Sequence, residues 1–221
     1  MGLEDVLSAM RSAEGKAGRE GNTVGLVAVS KVQPEERVEA VLAEGHRVFG
    51  ENRVQEAQDR WTKRREQYPE LKLHLIGPLQ TNKVRPAVAL FDVIETVDRE
   101  KLARKIAAEA AAQNKTVEVF IQVNTGDEAQ KAGVAVEESA ELIELCRNEL
   151  KLNVVGLMAI PPIDEDPAPH FALLAKMAKE AGLPKLSMGM SGDYEIAIAM
   201  GATQVRIGSA VFGARKQSAA G

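Results

Sequence analysis

Short apolar runs alternate with amphipathic, helix-like runs from residue 24 to near the end of the chain. The run LVAVS, for example, is followed by PEERVEAVLAEG, in which apolar residues recur at helical spacing. Eight such units are typical of βαβ architecture with a parallel sheet. The predicted strands are Val24–Val29, Arg47–Gly50, Leu73–Gly77, Asp92–Val97, Val117–Val123, Val154–Ala159, Lys185–Met188 and Gln204–Ile207.

Eight strand-and-helix units in 221 residues predict an α/β fold, a single-domain (β/α)₈ TIM barrel over residues 1–221. We expect an N-terminal helix within residues 1–20 and a frayed tail at residues 214–221. The strands at Arg47 and Lys185 are short, which leaves a doubly wound open sheet as the alternative.

Charge and cysteine content narrow the function classes. The chain has 28 Lys and Arg against 32 Asp and Glu, a net charge of -4, so we expect neither nucleic acid nor an anionic membrane as a partner. Its apolar runs are much shorter than the ~20 residues of a membrane span, and the N-terminus has no export pattern. The one cysteine, Cys146, is expected to be a buried core thiol, which fits a cytoplasmic protein.

In a TIM barrel the reactive groups follow the carboxyl ends of the strands. Lys31 follows a largely apolar run and would enter the barrel mouth, although most lysines are solvated surface residues. Desolvation in such a mouth favours the neutral, nucleophilic amine, which can form an imine with a carbonyl compound. Lys83 and Lys131 follow other strands on the same face and are reserve candidates, with a solvated loop charge as the ordinary alternative.

The loops after the last two strands are rich in glycine and serine. Glycine lets backbone N–H groups approach an anion closely, and serine adds hydroxyl donors. Ordinary turn chemistry explains either loop alone, but together they favour a phosphate site. The residues concerned are Gly189, Ser191, Gly192, Gly208 and Ser209.

Arg206 lies within the apolar run QVRIGSAVFG, where a guanidinium needs a partner. That partner is either a ligand in the mouth or a nearby carboxylate forming a salt bridge. His74 is equally compatible with a functional role and with a satisfied position in a strand. No metal site is expected, because His46 and His170 lack ligand spacing.

Seven segments between Leu26 and Gly213 match the pattern of a known family. They are AVSKVQP, VFGENRVQE, HLIGPLQTNK, IQVNTGDEAQKAGV, GLMAIPP, LSMGMSGDYEIAIAMGAT and VRIGSAVFG. With these segments the sequence resembles the pyridoxal-phosphate homeostasis proteins. The resemblance implies the barrel of the alanine racemase N-terminal domain and pyridoxal 5'-phosphate (PLP) bound as a Schiff base on Lys31. It also implies Asn52 beside the ring, Met190 nearby, Arg206 facing the ring nitrogen, and Ser191, Gly208 and Ser209 on the phosphate.

Three functions are compatible with these residues: a PLP carrier, a PLP-dependent amino-acid racemase or decarboxylase, and a Schiff-base aldolase acting on a phosphorylated sugar. Alanine racemases continue into a second domain whose tyrosine supplies a base, and the chain ends soon after the eighth predicted strand. The resemblance therefore favours a carrier with little turnover. It implies PLP-requiring apo-enzymes as partners, and we expect a monomer or weak dimer.

Overall fold

The computed structural model describes residues 2–128 and 130–213, and within them eight parallel strands close into a barrel. The closed order is β1–β2–β3–β4–β5–β7–β8–β9, with β9 paired back to β1. A ninth, two-residue strand, β6, pairs with the end of β5 alone. The strands are β1 (Gly25–Val29), β2 (Val48–Glu51), β3 (Lys72–Leu75), β4 (Val93–Val97), β5 (Glu118–Asn124), β6 (Val134–Ala135), β7 (Asn153–Met158), β8 (Lys185–Ser187) and β9 (Gln204–Ile207).

Helices surround the barrel and connect its strands. A 3₁₀ turn at Thr81–Lys83 precedes the fourth helix, and a π-helical segment at Leu145–Glu149 extends the sixth. None of the described helices has the length and apolar character needed to cross a membrane. The helices are α1 (Leu3–Lys16), α2 (Glu35–Ala43), α3 (Val54–Gln67), α4 (Val84–Leu90), α5 (Glu100–Ala112), α6 (Val136–Glu144), α7 (Pro167–Glu180), α8 (Tyr194–Ala199) and α9 (Ser209–Phe212).

The main hydrophobic core lies between the barrel and the helices. Strand residues alternate between this layer and the barrel interior. Phe49 of β2, for example, faces outward and packs on Trp61 of α3 with ring centroids 4.6 Å apart. A small separate cluster of Val93, Phe120 and Met158 fills part of the interior. Side chains therefore fill the barrel, and a ligand can enter only above this filling, at the mouth.

The closed barrel confirms the predicted fold and is incompatible with the open-sheet alternative. The predicted strand positions match β1–β5 and β7–β9 within about two residues. Strand β6 was not predicted, because two residues carry no periodic signal. The predicted N-terminal helix corresponds to α1, and the predicted frayed tail, residues 214–221, lies outside the described residues.

Candidate functional site

The order of strands in the barrel gathers the predicted site at one side of the mouth. The strands β8, β9, β1 and β2 are consecutive neighbours, and all are parallel. Lys31 follows β1, Asn52 follows β2, Met190 and Ser191 follow β8, and Gly208 and Ser209 follow β9. These loops are thus brought together, with Arg206 beneath them in β9.

Lys31 lies in a turn that starts directly after β1. Ser30 is fully buried and its N–H donates to the carbonyl of Gly50, which continues the β1–β2 ladder by one residue. The N–H of Gln33 then donates to the carbonyl of Ser30 and closes the turn. Leu26 and Ala28 belong to the outer core, so the alternation along β1 places Lys31 on the inner face, where it is half-buried.

Asn52 is positioned by a close contact between two strand ends. A Cβ on Gly77, after β3, would lie 2.3 Å from the carbonyl oxygen of Asn52, so only glycine allows this approach. Thr96 Oγ1 fixes the same segment by donating to the carbonyl of Gly77 at 3.0 Å. The half-buried carboxamide of Asn52 makes no hydrogen bond within the described part of the chain and is available to a ligand.

The loops after β8 and β9 touch each other. Ser209 Oγ donates to Ser191 Oγ at 3.4 Å, and both serines are exposed. Gly189 has φ of 92°, and a Cβ there would lie 2.5 Å from Cβ of Ala197, so the first loop requires glycine at this point. Met190 follows it and is partly exposed at the mouth.

Four main-chain N–H groups of these loops have no hydrogen-bond partner among the described residues, whereas the N–H of Met190 donates to Asp193 Oδ1 at 2.6 Å. Within residues 2–128 and 130–213, no carbonyl accepts a hydrogen bond from the N–H groups of Ser191, Gly192, Gly208 or Ser209. A Cβ on Gly208 would lie 3.2 Å from the carbonyl oxygen of Val29, so this loop packs closely on the end of β1. Four orphan donors and two hydroxyls form a cradle suited to an anion.

Arg206 is buried at the floor of the mouth and is held by polar partners. Its NH1 group donates to Ser187 Oγ at 2.6 Å, and its NH2 group donates to the carbonyl of Ala159 at 3.0 Å. Ser187 Oγ donates in turn to Glu95 Oε2 at 2.5 Å, and that carboxylate lies 4.0 Å from Arg206. The carboxylate partner considered for Arg206 is therefore Glu95, and Ser187 bridges the two charged groups. This contact does not exclude a ligand, because a guanidinium has five N–H donors.

Glu95 is the centre of this interior network. Its Oε1 accepts hydrogen bonds from His74 Nδ1 and from Gln204 Nε2, each at 2.6 Å. Burial opposes ionisation, but the hydrogen bonds from His74 and Ser187 and the charge of Arg206 outweigh it, so the pKa of Glu95 lies below its usual range. His74 thus has a partner for Nδ1, whereas its buried Nε2 has no hydrogen-bond partner among the described residues.

Burial lowers the pKa of the Arg206 guanidinium from its ordinary value, while the charges of Glu95 and Asp193 oppose that shift. Arginine nevertheless stays protonated in proteins. The floor of the mouth therefore carries the positive guanidinium of Arg206, which can donate hydrogen bonds, beside the buried carboxylate of Glu95.

The two reserve lysines follow β3 and β5, outside the four neighbouring strands that carry this group of loops. Lys83 is exposed in the 3₁₀ turn after β3. Lys131 follows β5, is exposed, and forms an ion pair with Glu128 at 2.5 Å. Both lysines therefore lie in solvent-exposed loops, as expected for lysines that only contribute charge to the surface.

Sequence reasoning missed the interior residues that hold Arg206. Glu95 and Ser187 lie within strands, whereas the predicted site residues other than Arg206 follow strand ends. A fully buried acidic residue in the apolar run DVIETV was the available signal. Both faces of a strand in a parallel barrel are buried, so an acidic residue there needs a hydrogen-bonding or charged partner.

Residues 18–216 of the chain match the family model described as alanine racemase, N-terminal domain. The chain is 43% identical over 222 residues to the pyridoxal phosphate homeostasis protein of Pseudomonas aeruginosa, covering 98% of this chain and 96% of that protein. It is 38% identical over 225 residues to the protein of that name from Escherichia coli K12, with the same coverage.

Solved structures with the same fold include a PLP-bound protein and an alanine racemase. PipY of Synechococcus elongatus, solved with PLP bound, superposes with a TM-score of 0.79 at 32% identity, covering 92% of this chain and 100% of that one. The alanine racemase of Clostridium difficile 630 gives a TM-score of 0.69 at 16% identity, covering 92% of this chain and 55% of that one. The second likeness concerns the fold alone.

Proposed function

This chain belongs to the family of pyridoxal phosphate homeostasis proteins, and we propose that it binds PLP covalently through Lys31 and serves PLP homeostasis. The observation that carries the proposal is the meeting of the Lys31 turn with two glycine- and serine-rich loops on neighbouring strands. An amine and an anion cradle at one side of a barrel mouth are the two anchors that a phosphorylated aldehyde needs.

The residues of the cradle fit the phosphate group. The hydroxyls of Ser191 and Ser209 and the orphan N–H groups of Gly192, Gly208 and Ser209 provide several donors to one anion. The same donors would be left unsatisfied by an apolar ligand. We therefore assign Ser191, Gly208 and Ser209 to the phosphate.

Asn52, Met190 and Arg206 fit the ring. The carboxamide of Asn52, which has no partner among the residues that the structure describes, can hydrogen-bond a ring substituent. The partly exposed Met190 offers an apolar contact. Arg206 would donate to the ring nitrogen, since a guanidinium does not release its proton. When bound, PLP supplies an aldehyde and an electron-withdrawing ring, and an unprotonated ring withdraws electrons less strongly.

We infer that the protein carries the cofactor and does not turn over amino acids at an enzyme-like rate. Arg206 supports this inference, because it keeps the ring nitrogen unprotonated while Glu95 and Ser187 hold the guanidinium in place. Racemisation would need a stronger electron sink and a second positioned base. We also infer a cytoplasmic location, a single cofactor-binding domain, a monomer or weak dimer, and PLP-requiring apo-enzymes as recipients.

The phosphate assignment is tested by titrating the protein with PLP and with pyridoxal, following the absorbance of the bound cofactor. Ser191→Ala should weaken PLP binding about tenfold or more, because one hydrogen bond to a charged group is worth about 1.5 to 3 kcal/mol, and it should leave pyridoxal binding unchanged. Ser8→Ala, which removes an exposed hydroxyl on α1, is the control. Equal loss for both ligands would contradict the assignment.

The carrier inference is tested by incubating the PLP-loaded protein with amino acids in deuterium oxide. We expect only slow exchange at Cα, and transfer of PLP to a PLP-requiring apo-enzyme added separately. Racemisation at about 1 s⁻¹ or faster, the lower end of ordinary enzyme turnover, would favour the racemase instead. A protein without cofactor absorbance that cleaves a phosphorylated sugar would favour the aldolase.

A further inference from the structure

The turn that carries Lys31 is held from outside the barrel by one arginine of α3. Arg60 NH2 donates to the carbonyl of Gln33 at 2.8 Å, and its NH1 group makes a short hydrogen bond to the carbonyl of Ser30. These carbonyls belong to the first and last residues of the turn. A single planar guanidinium therefore spans the turn on both sides of Lys31.

The turn needs such support, because its third residue is in an unfavourable conformation. Val32 has a φ of 52° and is 63% exposed. A β-branched residue with left-handed φ is strained, and this position of a turn normally favours glycine or asparagine. With its side chain largely in solvent, Val32 gains little from packing. The hydrogen bonds at the ends of the turn must hold it.

Glu51, at the end of β2, ties Arg60 to the barrel. Glu51 is buried, and its Oε1 accepts from Ser30 Oγ at 2.7 Å, from Trp61 Nε1 at 3.0 Å and from Arg60 NH1 at 3.1 Å. The carboxylate thus binds both the first residue of the turn and the arginine that spans it. It also compensates the charge of a guanidinium that is only 13% exposed.

We propose that Arg60, seated on Glu51, is a positioning residue that fixes the backbone of Lys31 and so sets how readily its amine reacts with the cofactor aldehyde. This inference rests on the proposed attachment at Lys31. In that reaction the Lys31 nitrogen bonds to the aldehyde carbon and the aldehyde oxygen leaves as water. Arg60 touches neither reacting atom and acts only through the turn.

Arg64, one helical turn further along α3, provides a matched control. Its side chain is 15% exposed, and it forms ion pairs with Glu35 at 2.8 Å and Glu39 at 2.5 Å. Arg60 shares the partner Glu35, at 2.9 Å. Arg64 makes no described contact with the turn, however, so Arg64→Gln removes a comparable ion pair without releasing Lys31.

The first measurement follows hydrogen exchange by NMR in protein stripped of cofactor. The N–H of Gln33 donates within the turn, so its exchange reports how firmly the turn is held. Arg60→Gln should speed this exchange about tenfold or more, as expected for lost charge-assisted hydrogen bonds, and Arg64→Gln should not. Equal exchange in the two variants would overturn the proposal.

The second measurement follows the rate of attachment after PLP is added, with borohydride reducing the C=N bond at timed intervals and mass spectrometry locating the adduct. Arg60→Gln should slow attachment about tenfold, and Arg64→Gln should match the wild type. Arg60→Lys should remain slow, because an ammonium has no planar fork to span both carbonyls.

The outcomes separate the two hypotheses. Wild-type rates in Arg60→Gln or full rescue by Arg60→Lys, with the adduct still on Lys31, overturn the positioning role and leave the proposed function intact. An adduct on another lysine in the wild-type protein overturns the proposed attachment, and with it the role of Arg60.

Discussion

Ser187→Ala should destabilise the protein far more than the loss of one hydroxyl normally does. The Ser187 hydroxyl is fully buried, donates to Glu95 at 2.5 Å and accepts from Arg206 at 2.6 Å. Both partners are charged, and a hydrogen bond to a charged group is worth about 1.5 to 3 kcal/mol. We therefore expect a loss of about 3 kcal/mol or more in the free energy of unfolding, which in a chain of this size lowers Tm by roughly 6 to 12 °C.

The measurement is urea unfolding followed by circular dichroism, with Ser139→Ala as the control. Ser139 is also buried, but it makes one neutral hydrogen bond, to the carbonyl of Val136 at 2.7 Å. Its loss should cost about 1 kcal/mol. If Ser187→Ala costs no more than Ser139→Ala, the hydroxyl does not link the two charged groups as argued.

Two further predictions concern ionisation. The pKa of Glu95 is lowered in the folded state, so its contribution to stability is present above the ordinary glutamate pKa of about 4.3 and is lost as pH falls through the folded value. Glu95→Gln should therefore reduce the loss of unfolding free energy between about pH 7 and about pH 3. An unchanged pH dependence in this variant would argue against the network around Glu95. Burial raises the pKa of Cys146 to about 12, so a thiol reagent at neutral pH should label it only as fast as the protein opens, and rapid labelling of the native protein would contradict its burial.

The barrel could be predicted from the sequence because each strand is buried on both faces. Such strands form short apolar runs that are easily separated from amphipathic helices, and eight of them with eight helices allow few architectures. The position of Lys31 followed from the same pattern, since a charged residue directly after a buried strand must lie at the mouth. The glycine and serine loops were recognisable because their composition is a local feature of the sequence, and backbone N–H groups and hydroxyls are the donors that we propose for the phosphate.

The supporting residues could not be predicted in the same way. Glu95 meets Ser187 and Arg206 only because β4 faces the neighbouring strands β8 and β9 across the barrel interior. A run without polar alternation does not indicate which face of its strand is internal. Arg60 reaches the Lys31 turn across a gap of about thirty residues in sequence, through the packing of α3 on the barrel. In an exposed amphipathic helix it is indistinguishable by sequence from Arg64.

Borohydride reduction of the PLP-loaded protein, followed by peptide mass spectrometry, tests whether PLP is attached at Lys31. We predict a single pyridoxyl group on the peptide containing Lys31, and loss of that adduct in Lys31→Ala. A stable adduct on Lys83 or Lys131 at unchanged occupancy, in either protein, would contradict attachment at Lys31.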